Sequence, residues 1–254
     1  MSPIVISLIA LAIIFGGTLF GTFLRPLLHE QHLSGDSKDV MKLGTGMIAT
    51  MAALVLSLLI GSAKGTFDTI NNGLRQNNAK LLLLDHTMAQ YGSETREARD
   101  SLRRGVISTV QRIWPAEKTT MAVDKVDPAE SGIEDCQAKL RQLSPRNDDQ
   151  RRLQSQALQI SDEMDQTRLF LIQQVGERSF PMPLLALLVS WLTIIFFNFG
   201  LFTSRNTTVM AVLFVCALVA ASSLFLILEL DQPFGGLIKI SSAPLLKALA
   251  HLGR

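Results

Sequence analysis

The chain has 254 residues, of which 48% are hydrophobic and 18% are charged, and its mean hydropathy is +0.28. A formal net charge of +2 argues against a nucleic acid or another polyanion as a partner. With four His, two Cys and no Gly-rich phosphate loop or serine elbow, the sequence predicts neither an enzyme nor a bound metal or other cofactor. The hydrophobic residues instead form four runs of about 20, which predict an all-α integral membrane protein with four transmembrane helices.

The first two runs predict a transmembrane hairpin over residues 1–63, with spans at about 4–24 and 43–63. Neither span contains Asp, Glu, Lys or Arg, and each such charge costs about 2.5–3.5 kcal/mol in the middle of a bilayer. Gly17 and Gly21 in the first span form a small-xxx-small pattern, which predicts close packing against another helix.

The loop between these spans carries His29-Glu30-Gln31-His32, with Asp36 and Asp39 nearby. Imidazole and carboxylate groups are chemically suited to zinc and other transition metals. The spacing is not that of a His-Glu-x-x-His zinc motif, however. We therefore interpret this segment as a solvated loop outside the membrane.

One face of the second span carries Thr50, Ser57, Gly61 and Lys64. Hydroxyls and small side chains can solvate a permeating ion, and a ring of Lys64 at the inner mouth would favour anions. The alternative is ordinary helix packing, in which Ser and Thr bond the backbone carbonyl four residues earlier. Lys64 would then extend toward the lipid headgroups.

A second apolar stripe continues beyond this span without any Pro between residues 43 and 91. Its residues alternate at spacings of three and four: Phe67, Ile70, Leu74, Asn77, Leu81, Leu84, Met88 and Tyr91. This spacing predicts one helix that crosses the membrane and continues in water as a coiled-coil stalk. We expect the seam to join copies of the chain, with Asn77 fixing the register, unless a later helix of the same subunit covers it.

The region 64–181 is predicted to form a helical domain built on extensions of the second and third spans. Further helices are predicted at about 93–113, 133–143 and 148–179, with a connector at 116–131. The first of them is expected to be capped by Ser93 and to stop at Trp114-Pro115. The heptad pattern of the last helix matches that of the stalk, which predicts an antiparallel pair.

A second transmembrane hairpin is predicted over residues 182–230, with spans at about 184–203 and 209–228. Asn198 lies inside an apolar span, so we expect it to hydrogen bond to another helix. A tail over 231–254 ends in a predicted amphipathic helix that lies against the membrane or the helical domain. Its apolar face consists of Leu245, Leu249 and Leu252.

Lys and Arg near the membrane are more numerous on the side that holds both termini and the middle domain, by eight to four. The positive-inside rule then predicts that these parts are cytoplasmic. Cys136 would lie in that reducing compartment, whereas Cys216 lies inside the fourth span, so the two cannot form a disulfide.

Several short segments resemble the bacterial bestrophin-like family of unknown function. They are the tail Asp231-Gln-Pro-Phe-Gly-Gly-Leu-Ile-Lys-Ile-Ser-Ser-Ala-Pro-Leu, the stalk pair Asn78-Ala79 with Leu82, the pair Tyr91-Gly92, and the pair Trp114-Pro115. This chain departs from the family in one place, because family members usually have Glu-Ala where it has Asn78-Ala79. The resemblance implies kinship with bestrophin anion channels, but no acidic cluster here resembles the calcium clasp of animal bestrophins.

The sequence and the resemblance together predict a homo-oligomeric channel in the bacterial inner membrane. Its expected partners are other copies of the chain, the lipid bilayer and small inorganic anions. The alternative is a membrane-anchored scaffold or signalling adaptor without transport activity. A continuous wet path would favour the channel, whereas a dry and fully packed membrane core would favour the scaffold.

Overall fold

A computed structural model describes residues 2–27, 35–114, 132–176, 182–203 and 206–252. Within these residues the chain is helical and contains no strand, which confirms the all-α prediction. The helices are α1 (Pro3–Leu24), α2 (Gly35–Tyr91), α3 (Arg96–Ile113), α4 (Gly132–Gln142), α5 (Asp148–Gly176), α6 (Met182–Phe202), α7 (Thr207–Leu230) and α8 (Ala243–His251). Single 3₁₀ turns occupy Arg25–Leu27 and Ser93–Thr95.

Among the described residues, four helices are long and apolar enough to cross a membrane, as predicted: α1, α2, α6 and α7. The second of them is 57 residues long and runs to Tyr91 without a break. The span and the stalk are therefore one helix, as the absence of Pro indicated. The protein is a membrane protein with four transmembrane helices.

The described chain divides into two compact units, and the first contains Met1–Phe67 and Arg178–Ile238. In this unit α1 packs closely against α6 through glycines. A side chain at Gly21 would overlap the backbone carbonyl of Phe197, and one at Gly200 would overlap that of Thr18. The small-xxx-small pattern of the first span therefore serves helix packing.

The polar residue inside the third span finds the partner that the sequence required. Asn198 Nδ2 in α6 donates a hydrogen bond to Thr45 Oγ1 in α2 over 3.0 Å. The same hydroxyl donates to the carbonyl of Met41 at 2.8 Å, so it is satisfied as both donor and acceptor. The predicted hydrogen bond between helices is confirmed.

The second unit contains Asp68–Glu177 and Lys239–Arg254. Its part of α2 pairs with α5 in antiparallel fashion, because residues that ascend along one helix meet residues that descend along the other. Gly73 lies against Leu171, Lys80 Nζ is 3.2 Å from Glu163 Oε2, and the Tyr91 carbonyl accepts from Gln150 Nε2 at 3.2 Å. The antiparallel pair predicted from the two heptad patterns is confirmed.

The core of the second unit lies between α2, α3, α4, α5 and α8. The backbones of α3 and α4 approach most closely where Gly105 faces Gly132, because a side chain on either would overlap the other. A bidentate ion pair joins α2 to α3, with Arg99 Nε and Nη2 at 2.7 and 3.0 Å from the two carboxylate oxygens of Asp85. This geometry is the strongest form of Arg–carboxylate contact.

The start of α3 differs from the prediction that Ser93 would cap it. Ser93 begins a 3₁₀ turn, and the α-helix starts at Arg96. The turn is held by Thr95, whose hydroxyl lies 2.7 Å from the Met88 carbonyl and 2.8 Å from that of Gly92. The predicted connector at 116–131 lies outside the described residues.

The predicted tail helix is present as α8 and packs against the second unit. Ala248, Leu249 and Leu252 are buried in the same core as Leu84 of α2 and Leu102 of α3. Of the two locations that the sequence left open, the structure therefore places the apolar face of this helix against protein.

Candidate functional site

The four predicted path-lining residues lie on a face of α2 that the described part of the chain leaves uncovered. Thr50, Ser57, Gly61 and Lys64 are all exposed, and a side chain at Gly61 would meet no heavy atom within 4 Å. The spacings 7, 4 and 3 bring all four within about 40° of Thr50 on a helix of 3.6 residues per turn. We call them, with the exposed positions that continue their line along α2, the open face.

The opposite side of the same span is covered by the chain itself. Ala52, Leu59 and Ala63 are between 3% and 7% exposed and belong to the core of the first unit. They lie about 140–200° around the helix from Thr50. The span therefore has one side that packs within the subunit and one side that does not.

Both hydroxyls of the open face bond their own helix. Thr50 Oγ1 donates to the Gly46 carbonyl at 2.9 Å, and Ser57 Oγ donates to the Ala53 carbonyl at 2.8 Å. Each hydroxyl thus commits its proton to the backbone, as ordinary packing requires, while its oxygen keeps acceptor capacity on an exposed surface. This arrangement keeps polar groups on the face without leaving a donor unsatisfied.

Lys64 stands at the end of the span that leads into the stalk. Its side chain is exposed, and Nζ lies 5.6 Å from the centroid of the Phe67 ring. A cation over an aromatic face is held by the quadrupole of the ring, typically with about 0.5–1 kcal/mol at an exposed site. The ammonium group is therefore kept beside the helix one turn beyond Gly61.

The predicted oligomer seam is largely taken up inside the subunit. Ile70, Leu81 and Leu84 have at most 2% of their surface exposed, and Phe67, Leu74 and Asn77 are half-buried. Leu81 and Leu84 pack in the core of the second unit. Ile70, Leu81 and Leu84 are therefore enclosed within one subunit, and a seam between copies stays a prediction. The helices that cover Leu81 and Leu84 belong to the same chain.

Asn77 is half-buried in this arrangement, and its role in setting the register of a seam stays a prediction. Its Oδ1 atom is buried and has no hydrogen-bond partner among the described residues. The neighbouring Asn78 donates from Nδ2 to the Pro244 carbonyl at 2.9 Å, at the start of α8. A carboxylate at position 78 could not donate this bond.

The other residues that carried the resemblance also hold the tail. Trp114 is buried, and its indole N–H donates to the Ile240 carbonyl at 2.8 Å. In the first unit, the carboxylate of Glu229 is 1% exposed and accepts from the backbone N–H groups of Leu237 and Ile238. Gly236 has φ +77° there, a backbone conformation that favours glycine. The sequence identified Glu229 only as the end of a span and did not predict that its buried carboxylate would accept hydrogen bonds from the tail.

No metal centre emerges from the described part of the chain, and the buried Cys136 is not a reactive thiol. No group of three or more His, Cys, Asp or Glu residues there could hold a metal ion. The segment from His29 to His32 and the side chain of Asp36 lie outside the described residues. Burial raises the pKa of the Cys136 thiol to about 12, so the thiol stays protonated at neutral pH.

Comparison with known proteins agrees with this architecture. A family model described as the Bestrophin-like domain matches residues 12–245. The crystal structure of a point mutant of a bacterial bestrophin homologue from Klebsiella pneumoniae superposes with a TM-score of 0.64 at 13% sequence identity, covering 96% of this chain and 97% of that one. None of the curated protein sequences matches significantly. Because the family model spans most of the chain, the protein belongs to the Bestrophin-like family.

Proposed function

We propose that the protein is a homo-oligomeric membrane channel in which the open face of α2 lines the ion path and favours anions. Bestrophins are known as ion channels, and both the family and the fold support the channel class. The observation that carries the assignment to α2 is the contrast between its two sides. One side is covered by the subunit, and the other presents hydroxyls, glycine and a lysine.

Several copies around an axis would account for the surface that one chain leaves bare. Next to the open face, Met47, Leu54 and Leu58 are 62–72% exposed. Apolar side chains at the edges of the face can pack against neighbouring copies or lipid, while Thr50 and Ser57 face the axis. Their oxygens offer acceptors to the water around an ion, and Gly61 leaves the path wide.

Lys64 supplies the preference for anions in this proposal. A ring of ammonium groups at the mouth of a path with low-dielectric walls focuses the field and raises the local anion concentration. It repels cations for the same reason. The ammonium group stays beside the helix, over Phe67, where it can act on the path.

The test is an ion-flux recording on purified protein in planar bilayers under a chloride gradient. The wild-type protein should give a reversal potential close to that of chloride, and Lys64→Glu should move it toward the cation potential. Ser57→Leu should lower the conductance by replacing a hydroxyl with a bulkier apolar group. Lys247→Glu is the matched control, because Lys247 is an exposed lysine on α8 rather than on α2.

Three outcomes would count against the proposal. Equal shifts from Lys64→Glu and Lys247→Glu would mean that net charge, not position, sets the reversal potential. No shift from Lys64→Glu would place Lys64 away from the path. No flux from the wild-type protein at any voltage or pH would favour the alternative, a membrane-anchored scaffold or adaptor.

We further propose that the protein resides in the bacterial inner membrane with both termini in the cytoplasm. The bias of eight Lys and Arg residues against four supports this orientation. A reporter that is active only in the cytoplasm, fused after Arg254, should be active. A reporter that requires export should be inactive at the same position, and the opposite pair of results would reverse the topology.

A further inference from the structure

The open face of α2 does not end at the membrane. In the second unit, α2 again has a covered side, which carries Leu81, Leu84 and Met88, and an exposed side. The exposed side carries Asn72, Arg75, Ala79, Leu82 and His86. Their spacings of 3, 4, 3 and 4 keep them within one stripe of an α-helix. The stalk thus presents an exposed face to its surroundings, in addition to the apolar seam that packs within the subunit.

This stripe continues the line of the predicted path-lining residues. Because α2 is a single helix from Gly35 to Tyr91, angular positions can be carried along it. Lys64 and Arg75 are eleven residues apart, which is about three turns and an offset of about 20°. Arg75 therefore follows Lys64 on the same side of the helix, about 16 Å further along at ~1.5 Å per residue.

Arg75 is suited to attract anions. Its side chain is exposed, and no ion pair involves it within the described part of the chain. A guanidinium group carries its positive charge on a planar fork of N–H donors, which is suited to contact with anions. The charged residue between the two cations is Asp68, which is half-buried and has contacts of its own.

The residues that follow Arg75 along this side of α2 are small or apolar rather than charged. Ala79 is small, and Leu82 and Leu83 are 39% and 48% exposed. Apolar walls next to a ring of cations lower the local dielectric and strengthen the field of the ring. The His86 ring closes the stripe and hydrogen bonds with Gln90, with Nε2 and the amide nitrogen 3.1 Å apart.

We propose that Arg75 is a second selectivity residue, which concentrates small inorganic anions in the part of the path that continues beyond the membrane. The proposal rests on the proposed function, because it presumes that the open face of α2 surrounds an ion path. Lys64 then acts at the mouth of the span and Arg75 about three turns beyond it. Together they outnumber the single carboxylate of Asp68 on the same side.

The test compares Arg75→Glu, Arg75→Gln and Arg75→Lys in the bilayer recording under a chloride gradient. Arg75→Glu should lower the chloride-to-cation permeability ratio several-fold, Arg75→Gln should lower it less, and Arg75→Lys should retain it. Arg103→Glu on α3 is the control, since it reverses an exposed arginine that is not on α2. The difference between wild type and Arg75→Gln should shrink at ~1 M salt, where the screening length is about 3 Å.

The results separate this inference from the proposed function. If wild-type protein conducts anions and Lys64→Glu alters selectivity while all Arg75 variants behave like wild type, the inference is wrong and the proposed function stands. An equal effect of Arg103→Glu would also overturn it. If the wild-type protein passes no current, both the inference and the proposed function are wrong. If Arg75→Glu does not assemble, Arg75→Gln is used in its place. The salt dependence of its chloride-to-cation permeability ratio then tests the inference.

Discussion

The two sides of α2 differ in burial although they belong to one helix. On the covered side, Leu59, Ile70 and Leu84 are enclosed by their own subunit. On the open side, Ser57, Lys64 and Arg75 are exposed, and the described part of the subunit does not enclose them. The covered side accounts for the fold of one chain. We therefore expect the open side to carry the interactions of the chain with other molecules.

The glycines of α1 also differ in whether another helix covers them. Substitution of a covered glycine is expected to have the largest effect on folding. Gly21→Ala should prevent correct packing, because the added methyl overlaps the Phe197 carbonyl, and backbone cannot move away like a side chain. Overpacking of this kind costs at least about 1–3 kcal/mol. Gly16→Ala is the control on the same helix, since its methyl meets no heavy atom within 4 Å.

The readout for this pair is the yield of monodisperse protein in size-exclusion chromatography, together with the unfolding temperature. We expect Gly16→Ala to match wild type and Gly21→Ala to be depleted or less stable. Equal behaviour of the two variants would contradict the close approach of α1 and α6.

A second pair of variants tests the two sides of the stalk directly. Leu84→Ala removes a fully buried side chain from the core and should lower the free energy of unfolding by about 2–5 kcal/mol. Leu82→Ala lies on the open side, two residues earlier, and should change the folding of the subunit by no more than about 0.5 kcal/mol. Thermal unfolding of both variants in the same detergent measures the difference. A larger loss from Leu82→Ala would reverse the assignment of the two sides.

A smaller effect is expected from pH at the contact between α2 and α5. The hydrogen bond from Lys80, then that from Gln159, lowers the pKa of Glu163 below its usual value. A carboxylate with a lowered pKa in the folded state stabilises the fold above its unfolded pKa, and this contribution is lost as pH falls through the folded pKa. Because the pair is partly exposed, water screens it and the effect is modest.

Glu163→Gln should therefore reduce stability slightly at neutral pH and make little difference in acid. The unfolding temperature of both proteins between about pH 7 and pH 3 checks this. A gap between wild type and variant that widens as the pH falls would have the wrong sign.

The spans and the antiparallel stalk were predictable because each depends on local patterns. The length of an apolar run decides whether it can cross a bilayer, and a shared heptad pattern decides which helices pair. Asn198 was predictable for a related reason, since a polar group in an apolar span must find a partner. These inferences needed no knowledge of distant contacts.

Other features depend on contacts that a pattern does not specify. A heptad stripe requires an apolar partner but does not say whether Leu84 finds it in the same chain or in another copy. The bonds from Trp114 to Ile240 and from Asn78 to Pro244 join residues that are more than 100 positions apart. The start of α3 was misplaced because Thr95, and not Ser93, makes the stabilising bonds. Arg75 could not be singled out from the sequence, because only the fold shows which side of α2 the subunit leaves open.

The central claim is that the open face of α2, and not its covered side, lines an ion path. The most direct measurement is block of the current by a water-soluble, negatively charged methanethiosulfonate reagent, applied to single cysteines. A Cys216→Ser background removes the exposed native thiol, and Cys136 is buried. We expect modification of Ser57→Cys to remove most of the current, while Ala52→Cys on the covered side stays unaffected. Block through Ala52→Cys with no effect at Ser57→Cys would contradict the account.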